Sequence, residues 1–133
     1  MNALRRALYV QAAVWAVAGA ALAAAPGFVA VTLFGQPALP GPAWVRIAGI
    51  EAFGLALLMV LVAHRVEELW WWSWAFALVS VGVAAVTLLH AAFGLGPGES
   101  RALWWSFAAV STGFAFWLLY GLFVSSAEQP LPG

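Results

Sequence analysis

Four apolar runs, at roughly 7–25, 43–64, 70–93 and 102–124, constrain this chain more than any other feature. Crossing a bilayer as a helix takes about 20 predominantly apolar residues, and each run is about that long. The expected fold is therefore all-α: an integral membrane four-helix bundle forming one transmembrane domain over residues 1–133. The intervening stretches "PGFVAVTLFGQPALPGP", "RVEEL" and "GLGPGES" carry the Pro, Gly and charge that end helices. Because the second and third are short, successive helices should be antiparallel neighbours. The first is longer and mostly apolar. Pro26 suits the first turn of a short helix there, expected to lie along the membrane surface.

Composition removes several function classes. The 133 residues are 65% hydrophobic and 8% charged, against about a quarter charged in a soluble domain, so the lipid bilayer is the surrounding partner. Five Arg balance five Glu, with no Lys and no Asp, which leaves no basic patch for nucleic acid. Cys is absent, excluding disulfides, thiolate metal sites and cysteine nucleophiles. Without Lys there is no Schiff base for covalent retinal or pyridoxal phosphate.

The start, "MNALRRALYVQAAVWAVAGAALAAAP", shares a basic beginning, an apolar centre and a small-residue "AAA" with secretory signals. Gln11 and Trp15 inside the run, Pro26 directly after the small residues, and three later spans that need a first one favour an uncleaved helix. Arg5, Arg6 and Arg65 fall on the side of the N-terminus and Arg46 and Arg101 on the other. Under the positive-inside rule both termini are expected in the cytoplasm. Small residues allow close helix approach in lipid. Ala12, Ala16, Ala20 and Ala24, and likewise Ala48, Ala52 and Ala56, form rows expected to face neighbouring helices, or else a second copy or a larger partner. Echoes between "LFGQP" with "FGLAL" and "AFGLG" with "GFAFW" hint at two related helical hairpins, as does chance in so biased a composition.

Glu51 draws attention as a possible site of chemistry, lying about 12 Å down the second span at 1.5 Å per residue. Ionisable residues inside a membrane are rare and point to function by default. Arg46 is five residues away and roughly 140° around the helix, so a partner should come from elsewhere. Ser111 and Thr112 are expected at a similar level, Thr87 and His90 somewhat nearer the outer surface, and with Arg46 near the headgroups Glu51, Thr87, His90 and Ser111 make an expected polar cluster. A protonated Glu51 that only bonds between helices fits equally well, so both uses stay open. His64 and His90 stand at opposite ends of their helices, which rules out a bis-histidine haem or a shared metal within one chain. Either could singly ligate a pigment, or pair across a homodimer, or simply be a polar residue at a helix end. Glu67 and Glu68 suit a helix start. Tyr9, Gln11 and Tyr120 form a smaller polar group, suited to structural hydrogen bonding. No phosphate loop, catalytic triad or paired-carboxylate arrangement is present.

The stretches "PGFVAVTLFGQP" after the first span and "WVRIAGIEAFGLALL" opening the second resemble the DoxX-related group of small bacterial membrane proteins, over nearly the whole chain. The resemblance implies a four-helix bundle and, in one branch, association with a quinone-linked sulfur oxidation complex. It carries over no catalytic residue. The functional expectation is a binding or accessory subunit that holds a lipid-like ligand or the helices of a larger complex. The alternatives are a quinone-linked redox subunit with Glu51 handling protons, and a small transporter or channel built from oligomers. Quinone and pigment both remain open as cofactors.

The run "LWWWSW" at 69–74 looks at first like a ligand box. At about 100° per residue, Trp70, Trp71 and Trp72 point in three directions and only Trp74 returns toward Trp70. They begin a span, where indole rings favour the headgroup level. With Trp44, Trp104 and Trp105 on one side and Trp117 on the other, most of the nine tryptophans are expected to form two interfacial belts. Trp15, near mid-membrane, is the exception and the better contact for a ligand or partner.

Overall fold

A computed structural model describes residues 1–38 and 40–129. It contains four long helices: α1 (Asn2–Ala24), α2 (Ala43–His64), α3 (Val66–Gly94) and α4 (Arg101–Glu128), each long and apolar enough to cross a membrane. No strand occurs among the described residues. The all-α four-helix architecture expected from the apolar runs is the one observed. A short π-helical turn, Phe28–Leu33, follows α1, in the connection where Pro26 marks a new helical start.

Helix ends follow local chemistry. Ser100 caps α4, its hydroxyl accepting from Leu103 N–H at 3.2 Å. At the C-terminus of α1 the guanidinium of Arg46 donates to the Ala23 carbonyl at 2.8 Å, a cation placed where helix carbonyls lack partners. α1 begins at Asn2, ahead of its apolar run, because polar residues there find ionic partners. The terminal ammonium pairs with Glu128 at 3.1 Å. Arg5 donates to the Ala63 carbonyl at 3.2 Å and pairs with Glu67 at 2.9 Å.

The helices pair as two hairpins, α1 with α2 and α3 with α4, joined along α1 and α4. α2 and α3 follow each other directly at Arg65 yet share little contact beyond that corner. Wholly buried side chains gather in the half of the bundle that holds the termini: Leu4, Leu8, Met59, Leu118 and Leu122. Gly121 makes this possible, since a Cβ on it would lie 2.8 Å from the Leu4 Cα. α4 therefore rests directly on the backbone of α1.

Two expectations change here. The α1–α2 contact does not follow the alanine row to its end. Ala12 and Ala56 are buried, but Ala20, Ala24 and Ala48 are exposed. The closest approach is at Gly19 and Gly49, where a Cβ on Gly19 would lie 2.6 Å from the Gly49 carbonyl oxygen. A strict four-residue spacing drifts by about 40° per step on a helix of 3.6 residues per turn, so the contact stripe passes from alanine to glycine. Trp70 is the second correction. Only 2% exposed, it belongs to the core and to no belt. α3 starts at Val66 rather than at 70, which places Trp70 one turn inside the helix, in a short 3-10 segment. Trp44, 79% exposed, together with Trp71, Trp72, Trp74 and Trp105, remains on the outer surface as expected.

Candidate functional site

Away from the termini the two hairpins separate, and Gln11, Ser80, Thr87 and Ser111 are buried there, whereas Ser73 and Ser125 are buried in the half with the termini. A strap closes the far end. Gly35 adopts φ +68° and Gly98 φ +88°, left-handed conformations that favour glycine. A Cβ on Gly35 would sit 2.4 Å from the Gly98 carbonyl oxygen, so the two connections touch backbone to backbone. Across this contact Gln36 donates to Glu99, and the Trp104 indole N–H donates to the Phe34 carbonyl at 3.3 Å.

Glu99 is the centre of the strap, its side chain only 7% exposed. Gly96 N–H donates to it at 2.8 Å, and His90 Nε2 lies 3.1 and 3.0 Å from its two oxygens. The Gly96 amide, and to a lesser degree His90 and Gln36, hold its carboxyl below the ordinary value of 4.5, while burial works against them. His90 reaches it from a π-helical turn, His90–Gly94, where Gly94 leaves space: a Cβ there would lie 2.8 Å from Nδ1. The imidazole packs on Trp104 with ring centroids 4.3 Å apart.

Below the strap lies a cavity of about 300 Å³ bounded by all four helices, at the lower end of ligand-pocket sizes. Its walls are apolar, with Trp15, Ala52, Val83 and Phe114 among them, and Gln11, Ser80 and Ser111 supply the polar groups. Gln11 is 1% exposed. Its amide N–H donates to Ser80 Oγ, and its carbonyl oxygen has no hydrogen-bond partner. The Ser111 hydroxyl bonds to no described residue. A separate apolar groove of about 730 Å³ runs outside, between α1, the π-helical turn and α4.

The polar cluster expected around Glu51 is dispersed. Glu51 is exposed on α2, and no hydrogen bond or ion pair joins it to a described residue. Its helix rotation is set by the Gly49 contact with α1, which turns Glu51 outward. Thr87 is buried but bonds to its own helix, to Val83 O at 2.8 Å and Ala84 O at 3.1 Å. Arg46 serves as the cap of α1, His90 belongs to the strap, and Ser111 faces the cavity. Thr112 is half-buried with its hydroxyl unpartnered. Trp15 lines the cavity. His64 is exposed at the end of α2, on the opposite side of the bundle from His90. Tyr9 and Tyr120 are exposed and leave Gln11 to Ser80. No group of three or more His, Cys, Asp or Glu stands close enough to hold a metal ion among the described residues.

Glu99 and Gln36 escape the sequence reading altogether. Glu99 is a loop carboxylate, usually solvated, and its only signal is a position directly before the capping Ser100. Gln36 is 63 residues from it in sequence. No family model, curated protein or solved structure matches the chain.

Proposed function

We propose that this is a binding protein of the bacterial cytoplasmic membrane, with both termini in the cytoplasm, that holds a lipid-like ligand inside its bundle. The observation that carries the reading is the cavity between the two hairpins, apolar in its walls and supplied with buried polar groups, one of which lacks a partner. Buried polar atoms are normally satisfied, and a cavity lined partly by such atoms has a reason to be filled. The arginine distribution supports the orientation. The resemblance to DoxX-related proteins supports a small bundle acting alongside other membrane components. Binding rather than turnover fits a cavity that has no titratable side chain in its lining.

The exposed carboxyl of Glu51 favours a second reading beside this one. A carboxyl on the outer face of a span is costly against lipid, and contact with another membrane subunit or a second copy would relieve it. One experiment separates the two. The full chain is purified in mild detergent, and what accompanies it is identified by mass spectrometry and absorption. An apolar small molecule, one per chain and lost in Val83→Phe, which fills the cavity, supports the binding reading. A quinone or pigment in that place would specify the ligand. A stoichiometric polypeptide with no small molecule would replace it with the accessory reading.

A further inference from the structure

We infer that the cavity takes the head of a single-tailed lipid alcohol, its hydroxyl bonded by Gln11 and Ser111. The inference rests on the ligand-binding reading above and names the chemistry of the ligand.

The polar wall decides the headgroup. Gln11 shares one amide hydrogen bond with Ser80, and its carbonyl oxygen, sealed in the interior, still needs a donor. Ser111, 7% exposed, offers a hydroxyl that donates and accepts. A headgroup with only acceptors, such as a ketone or an ester, leaves the Gln11 oxygen unsatisfied. An anionic head would be buried without a counter-charge, since no Arg or His lines this cavity. A bare hydrocarbon answers neither polar group. A hydroxyl gives its proton to Gln11 and receives one from Ser111. It also serves the reversed amide orientation, in which the free end of Gln11 is a donor.

The shape decides the tail. Val14, Ala18, Leu22 and Phe107 line both the cavity and the outer apolar groove, so the two spaces adjoin at these side chains. Phe107 is 40% exposed, and its side chain must turn aside for the two spaces to join. A single chain can then run from the head in the cavity into the groove.

The test uses two probes of equal length, a terminally brominated undecanol and bromoundecane, added to the full chain in detergent. Bromine quenches nearby indole fluorescence, and Trp15, in the cavity wall, is isolated as the difference between wild type and Trp15→Phe. The alcohol is expected to quench this component saturably, one per chain, while the alkane gives only the linear background of micelle partition. Gln11→Leu should weaken the alcohol at least tenfold. Ser111→Ala, which leaves the Gln11–Ser80 bond in place, should weaken it severalfold and guards against a folding defect in the first variant. Equal saturable quenching by both probes, or unchanged affinity in both variants, overturns the hydroxyl assignment and leaves the binding site standing. Linear quenching by both probes, with water alone in the cavity, overturns the assignment and the binding reading together.

Discussion

The two halves of the bundle solve the same packing problem differently. In the half with the termini, Leu4, Leu8, Met59, Leu118 and Leu122 are wholly buried, and Gly121 brings α4 onto the backbone of α1. In the other half the hairpins part around the cavity, bridged there by the Gln11–Ser80 bond, and meet again at the strap, where Gln36 and Trp104 tie the connections together. Lipid tails are as apolar as leucine, so association depends on close packing and hydrogen bonds between helices. Dense packing at one end and hydrogen bonds at the other hold the hairpins while the middle stays open. The difference assigns stability to one half and ligand chemistry to the other.

The contrast is broken most readily by truncation. Leu118→Ala should cost on the order of 2–5 kcal/mol, as for large-to-small core changes. Val83→Ala, which only widens an existing cavity, should cost less than about 1.5 kcal/mol, at the mild end of the same range. Unfolding both variants in mixed micelles tests this, and equal losses would show that the halves do not differ.

The strap offers a smaller, pH-dependent test. Its carboxyl is held below 4.5 when folded, chiefly by the Gly96 amide. A lowered folded value means that the Glu99 contribution is complete above the unfolded value and is lost as pH falls through the folded one. The melting temperature should therefore hold from pH 7 to about 5 and drop below the ordinary carboxylate range. Glu99→Gln should melt lower at pH 7, by a few degrees, and lose the part of the acid limb that Glu99 supplies. An acid limb identical in the two proteins would place the stabilising role elsewhere.

Glu51→Gln should lower stability least: it breaks no bond and removes a costly lipid-facing carboxyl, so stability should stay within about 0.5 kcal/mol of wild type, the usual range away from packed or bonded features, or rise. The same unfolding measurement decides, and a loss well above that would return Glu51 to an interior role.

Much of the fold is legible in the residues because local rules act on them directly. Pro26 reads as a new start, and the apolar runs read as spans. The site is less legible. His90, Gln36, Glu99 and Trp104 meet only because Gly35 and Gly98 bend two connections into contact. Gln11, read as part of a polar group with Tyr9 and Tyr120, joins Ser80 on α3 instead. Glu51 attracted attention through its depth alone, and depth carries no information about which way a side chain faces.

Taken by itself, the sequence determines four membrane-length helices, their antiparallel order and the exclusion of cysteine and lysine chemistry. It can do so because backbone groups in lipid must be satisfied within the helix, a demand that length and apolarity alone express. Tertiary structure decided which polar residues meet. Helices apolar on every side can rotate at little cost in lipid, so their facing depends on where backbones touch. The Gly19–Gly49 and Gly121–Leu4 contacts settle it, turning Glu51 outward and leaving Gln11, Ser80 and Ser111 around the central cavity.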